Sequence, residues 1–333
     1  MGAYMRKSVK ISIIVAVILV IAGAVIGKFG YSLIDWNKDG KNTMQNKTSY
    51  KGSDIVSLSA DCDSANITVY KASGSDILLN WDEDDKRRCD ITNDGGELKI
   101  TYRDHRKWYE YLRFGVNVKT YELSIGLPEA YTGALNLSTG SGNVKAENLS
   151  VSDDVSFSTA SGNVSVNGVS TAGSLKLSLS SGNITASNLS SGAGVEFKNV
   201  SGNIKAENVT LNGDFSAQTS SGNLKIYSIS GAKEVSLKCV SGGIDFSDIT
   251  AEDLYVTASS GNVTFSDIYA DKSIELKAVS GNVTGSISDD IKNYTIESSC
   301  VSGNNSLPES ASYGDKTLTV KVSSGNIKVD FDK

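Results

Sequence analysis

Val155-Ser156-Phe157-Ser158-Thr159-Ala160-Ser161-Gly162-Asn163-Val164-Ser165-Val166-Asn167-Gly168-Val169 alternates apolar with polar side chains on both sides of a Ser-Gly-Asn tripeptide. Alternation with period two marks a strand with one buried face, so the stretch predicts two short strands meeting at a corner. Ten Ser-Gly copies open at Ser141, Ser161, Ser181, Ser201, Ser221, Ser241, Ser260, Ser280, Ser302 and Ser324. Nine continue with Asn, and Gly243 is the exception. The spacing is 20 residues with small slips. A fixed period of that length predicts a stacked solenoid in which each repeat contacts only its neighbours.

The flanking residues repeat with the corner. Apolar side chains recur six and four positions before the Ser, as at Leu135 and Leu137 or Val235 and Leu237. They recur three, five and eight positions after it, as at Val144, Ala146 and Leu149. Glycine adopts positive φ without a steric penalty, Ser can close a local turn, and Asn can hydrogen-bond along the stack. Gly142, Asn143, Gly162, Asn163, Gly182, Asn183, Gly202, Asn203, Gly222, Asn223, Gly261, Asn262, Gly281 and Asn282 are therefore predicted structural corners, with the asparagines in a ladder. A second corner, around Asn148, Asn188 and Asn208 and then Gly173, Gly194 and Gly213, reads as looser and more variable. The predicted fold is all-β: a parallel β-solenoid (β-helix or β-roll) of two-strand coils, ~48 Å long for ten coils at ~4.8 Å each. A single coil buries too little to offset the entropy of ordering it, so the coils are predicted to stand only as a stack.

The first 53 residues read differently. Residues 1–10 form a basic tail with Arg6, Lys7 and Lys10, and an uncharged apolar run follows from Ile11 to Gly27. Basic residues before an apolar run place the N-terminus in the cytoplasm. Residues 11–34 are thus predicted as a transmembrane signal-anchor helix, with the remainder outside the cell membrane. Ala22-Gly23-Ala24 leaves open the rival reading of a cleavable signal peptide. Residues 35–53, polar and lysine-rich without periodicity, read as a flexible tether. Residues 54–130 contain strands of degenerate period and read as a β cap, and 131–333 hold the regular repeats. The whole chain carries 32 basic and 38 acidic residues, for a net charge of −6, which makes nucleic acid a poor partner.

Chemistry-bearing residues gather where the period fails. Arg103, His105, Arg106, Lys107, Trp108, Tyr109, Tyr111 and Arg113 interleave basic and aromatic side chains, a composition suited to glycans, anionic polymers or lipid headgroups and also to a loop covering an open core. Asp82-Glu83-Asp84-Asp85 followed by Lys86-Arg87-Arg88 reads as a solvated turn, with cation binding as the alternative. His105 is the only histidine and no CxxC occurs, so neither a metal site nor a cofactor is predicted. Cys239 and Cys300 fall at equivalent positions three repeats apart and are predicted to be buried free thiols, whereas Cys62 and Cys89 could bridge. No base is spaced to activate the repeat serines and no acidic ladder forms, so no catalytic residue is predicted.

Ser-Gly-Asn followed by Val, Ile or Leu at this interval, Tyr121-Glu122-Leu123-Ser124-Ile125-Gly126-Leu127-Pro128 entering the first coil, and the N-terminal apolar segment resemble the bacterial "putative adhesin" β-strand-repeat family that includes LiaG-like envelope proteins. The resemblance spans roughly residues 55–333. It implies an extracytoplasmic β-solenoid, often of unknown function and sometimes linked to envelope-stress signalling, with no catalytic residues to carry over. The sequence as a whole predicts a non-enzymatic, membrane-anchored protein contacting cell-wall polymer or another envelope protein. A modulator of an envelope-stress system is the alternative, and a polysaccharide-active enzyme a further one.

Overall fold

The computed structural model describes residues 43–107, 120–129 and 131–332. The predicted membrane helix over 11–34 lies outside them, and among the described residues no helix is long and apolar enough to cross a membrane. Their 23 strands form one continuous sheet wound into a parallel β-solenoid. One end is built from β1 (Met44–Lys51), β2 (Ser57–Cys62), β3 (Ala65–Lys71), β4 (Asp76–Glu83), β5 (Arg87–Asp94), β6 (Glu97–Asp104) and β7 (Tyr121–Leu127). Regular coils begin with β8 (Ala134–Ser141) and β9 (Val144–Val151), then β10 (Val155–Ser161) and β11 (Val164–Thr171). They continue through β12 to β18, residues 175–280, of which β15 to β18 each run unbroken through two sides of a coil. The far end holds β19 (Val283–Ile287), β20 (Tyr294–Ser302), β21 (Ser310–Ser312), β22 (Lys316–Ser324) and β23 (Ile327–Phe331).

Stacking is in register, so like sits on like. Phe157 lies between Leu137 and Leu177, and Val164 between Val144 and Ile184. Rings also pack between coils: Phe197 meets Phe215, from the adjacent column of the next coil, edge-on at 5.6 Å, and on the other side of the corner Phe246 stacks on its register partner Phe265 at 5.5 Å. Two further inward columns complete the five predicted ones. The first lies two positions before the Ser and is often polar: Thr159 Oγ1 donates to the Gly142 carbonyl at 3.0 Å, Asn199 Nδ2 to Gly182 at 2.7 Å, and Thr219 Oγ1 to Gly202 at 3.1 Å. The second, ten positions after it, does the same at the opposite corner, where Ser191 Oγ donates to the Gly173 carbonyl at 2.9 Å. Where these columns are polar, carbonyls at the corners thus find side-chain donors.

The Ser-Gly-Asn corner explains its own composition. Gly182 and Gly202 have φ of +127° and +128°. A Cβ on Gly202 would stand 1.9 Å from the Gly182 carbonyl oxygen. Beside this contact, Asn143 Oδ1 accepts the Asn163 N–H at 2.8 Å, Asn163 Oδ1 that of Asn183 at 2.9 Å, and the ladder runs on to Asn223, which holds the Gly243 N–H at 2.9 Å. Gly243 has no side chain to pass the bond along, and the ladder resumes from Asn262 through Asn282 and Asn326 to Asn304. The second corner is more uniform than its sequence predicts. Asn148, Asn188, Asn208, Ser228, Asp248 and Asp267 all sit at φ between 53° and 57°. That is the left-handed region Asn and Asp tolerate best, so one geometry is met by several residue types.

At both ends, stacking departs from chain order. β2 pairs in parallel with β6 and with β8, and β3 with β7 and β9, so the coil of β2 and β3 is covered by the later β6 and β7. Likewise β22 lies between β18 and β20, and β23 beside β19. Antiparallel strands then finish the rod: β4 on β7, β5 on β6, and β21 on β20. The predicted three-coil separation of Cys239 and Cys300 is corrected to four, through Ala258, Ala278 and Val322, and both thiols are free. The predicted tether is also shortened. Residues 44–51 pair with β4 from Met44 opposite Glu83 to Lys51 opposite Asp76. Backbone pairing at a sheet edge needs no apolar face, which is why alternation does not mark this strand.

Two substitutions test the corner in opposite directions. Gly202→Ala meets a carbonyl oxygen at an unfavourable φ and is expected to destabilise the rod by about 3 kcal/mol or more. Gly243→Asn has room, its Cβ lying 3.5 Å from the Asn262 carbonyl oxygen and 3.7 Å from Asn223 Oδ1, and by closing the ladder should stabilise by about 1 kcal/mol. Urea unfolding of both variants measures each sign.

Candidate binding site at the N-terminal end

β6 ends at Asp104 and β7 begins at Tyr121, stacked over the corner at which β2 passes into β3 in the coil beneath. The described part of this corner is an ion-pair network. Arg103 reaches down to the next coil, with Nη2 2.5 Å from Asp61 Oδ2 and Nη1 3.1 Å from Asp63 Oδ1. The Asp104 N–H donates to Asp63 Oδ2 at 2.9 Å. The Asp104 carboxylate accepts from Ser64 Oγ at 3.1 Å and from the Arg106 N–H and guanidinium, Nη2 lying at 2.5 Å. The Arg106 and Asp104 side chains are only 8% and 2% exposed, so this pair is packed into the corner.

Charge and burial compete at these carboxylates. At Asp61 the Arg103 hydrogen bond is the larger influence and holds the carboxyl below its ordinary range. At Asp104 burial pushes upward, but the hydrogen bonds from Arg106 outweigh it and the carboxyl also ends low. Of the predicted binding residues, then, Arg103 and Arg106 serve the corner. His105 and Lys107 are exposed beside them, with the His105 N–H tied to the Lys86 carbonyl at 2.8 Å. Trp108, Tyr109, Tyr111 and Arg113 lie outside the described residues.

The acidic and basic run between β4 and β5 corrects its prediction as a solvated turn. Arg87 is 3% exposed and lies 3.7 Å above the Tyr121 ring, with Nη2 3.1 Å from Asp84 Oδ2. Asp84 also takes the N–H groups of Lys86 and Arg87 at 2.9 and 2.8 Å and the Tyr121 hydroxyl. Tyr102 donates to the Asp82 carbonyl at 2.9 Å. The turn between β4 and β5 therefore closes the open end of the core with a desolvated cation on an aromatic face. No alternation marks Arg87 as inward, and its partner Tyr121 is 34 residues away in sequence. The opposite end uses the same chemistry: Lys316 Nζ sits 3.9 Å over the Tyr269 ring and 2.8 Å from Asp289 Oδ2, which Tyr294 also reaches at 3.2 Å. Among the described residues no group of three or more His, Cys, Asp or Glu side chains is placed to hold a metal ion.

Repeated corners, in-register coils and aromatic ends together define an architecture that comparison places. The profile of the Toastrack DUF4097 family matches residues 55–213 and again 170–330. The chain belongs to this family. No curated protein matches it. Among solved structures, the Toastrack chain is similar to a "putative adhesin" from Parabacteroides distasonis at 16% identity, with a TM-score of 0.43 over 88% of this chain and 98% of the other. A "putative adhesin" from Bacteroides fragilis matches at 14% identity and a TM-score of 0.37, over 87% and 98%. A "putative cell adhesion protein" from Clostridium sporogenes matches at 10% and 0.20, over 87% and 100%.

Thiol chemistry in this Toastrack corner is quiet. Cys62 and Cys89 both stand opposite Tyr102, on strands either side of β6, about 10 Å apart by strand spacing and beyond disulfide reach. Both are free, and burial pushes each thiol up to about 12. Neither is a thiolate at neutral pH.

Acid should release this end. Because the folded Asp104 carboxyl lies below its unfolded value of about 3.9, its contribution is complete above that pH and is lost as pH falls through the folded value. Asp104→Asn is expected to lower stability at pH 7 by about 1–3 kcal/mol, and the difference from wild type should shrink toward pH 3. Urea midpoints at the two pH values measure this.

Proposed function

We propose that this protein is a non-enzymatic, adhesin-like component of the cell envelope, anchored in the membrane by its N-terminal segment and presenting the solenoid outside to wall polymer or another envelope protein. The observation that carries the reading is how the ionic side chains are arranged. On the described faces Lys and Glu pair within and between coils, as in Lys145 with Glu147, Lys176 with Glu196, Lys205 with Glu207 and Lys321 with Glu297. At both ends they seal the core. One long edge is left uncharged and exposed, repeating with every coil. A rod with a periodic outer edge suits lengthwise contact with a polymer or a partner. Basic residues before the apolar segment of residues 11–27 support export.

Isolation of the intact protein from its own membranes, with co-isolated polymer and protein identified, tests the reading. Wall polymer or an envelope protein is expected. Recovery in the cytosol, or turnover of a glycan by the purified solenoid, would overturn it. Exchange of residues 11–34 for a foreign membrane segment should leave capture unchanged, and loss of capture would instead favour a signalling role for that segment.

A further inference from the structure

Four of the largest exposed apolar side chains lie in one file. Val200, Val240 and Val279 are 54–56% exposed and Val301 is 83% exposed. Each precedes the Ser of a Ser-Gly-Asn corner. In the stack the corners run Ser201, Ser221, Ser241, Ser260, Ser280, Ser324, Ser302. The residues preceding them therefore read Val200, Ser220, Val240, Ser259, Val279, Ser323, Val301. Valine recurs on every second coil, at about 9.6 Å intervals along about 29 Å of edge.

We infer that this edge binds an uncharged β-1,4-linked glycan strand lying along the rod. The inference deepens the adhesin-like reading and depends on it. Three observations select the occupant. No residue of the four corner columns is charged in any of the ten copies, although the neighbouring faces carry Lys and Glu pairs, so the edge fits a neutral ligand. In a β-1,4-linked chain each sugar is flipped relative to the last, so equivalent apolar C–H faces recur at every second sugar, a spacing close to two coils. The corner serines between the valines are exposed and line up at single-coil intervals, where hydroxyls can bond sugar hydroxyls. Shape also selects: a strip one corner wide and about 29 Å long falls well below the roughly 800 Å² per partner of a stable protein interface, but matches a linear chain. Each valine contributes weakly and the repeats add by avidity.

Co-sedimentation of the full chain in detergent with insoluble chitin, against α-linked starch, is the test. Wild type is expected to pellet with chitin and not with starch. The variant V200S/V240S/V279S/V301S should bind at least about 10-fold more weakly. Ser220→Lys, which sets one charge in mid-edge and leaves every valine, should bind comparably weakly. All substituted positions are exposed, and thermal melts matching wild type show that the fold is kept. Equal pelleting of wild type and the quadruple variant, or equal binding to starch, would overturn the inference. Valine-dependent self-association without chitin binding would also overturn it and assign the edge to contacts between copies. Envelope material captured equally by wild type and quadruple variant removes the glycan edge and leaves the adhesin-like reading standing.

Discussion

The approach of one glycine to the glycine above it governs this fold. At nine of the ten Ser-Gly corners, all but the last in the stack, the glycine N–H bonds to the Ser carbonyl of the neighbouring coil, as from Gly202 to Ser221 at 2.7 Å. Its missing Cβ leaves the space that the adjacent glycine carbonyl occupies. The contact fixes the rise of the coil and the register of both flanking strands. Because side chains alternate, a slip of one residue would turn every buried column outward. The core columns, the asparagine ladder and the outer edge all inherit their spacing from that contact.

Polar groups complete what the glycines begin. Corner carbonyls point along the stack into the core, where water does not reach them. Thr139, Thr159 and Thr219 answer them with hydroxyls, and Cys239 and Cys300 answer with thiols at 3.2 and 3.0 Å. Asn199 does so at the cost of a buried Oδ1 with no partner. The same requirement appears at the ends of the rod, where Arg87 and Lys316 are desolvated only because a carboxylate and an aromatic face receive them.

Most of the regular solenoid was legible in sequence because it depends on short-range alternation around a fixed tripeptide. Val155, Phe157, Val164, Val166 and Val169 are all buried where alternation places them. The column of Thr159 and Asn199 was missed, since a polar residue in an alternating strand resembles an outward one. Its recurrence at a fixed offset before Ser was the available signal. Stack order at the ends could not be read: near-identical coils are interchangeable by pattern, and the antiparallel hairpins decide which lies beside which. Within the stretch 103–113 the structural roles of the arginines were not legible. Arg103 and Arg106, read there as basic members of a basic and aromatic run, are held by Asp61, Asp63 and Asp104, and the coil register brings Asp61 and Asp63 to Arg103.

The out-of-order ends bear on how the rod is made. A solenoid stacked in chain order could zip up coil by coil as the polypeptide emerges, each turn templating the next. Here β20 has no parallel neighbour until β22 has been inserted between it and β18. Residues 294–302 must therefore wait with an unpaired strand edge while residues 316–331 are delivered. Assembly of that end is a closing step made after the segment has emerged, and it is the interval in which the growing rod is most open to pairing with the wrong strand.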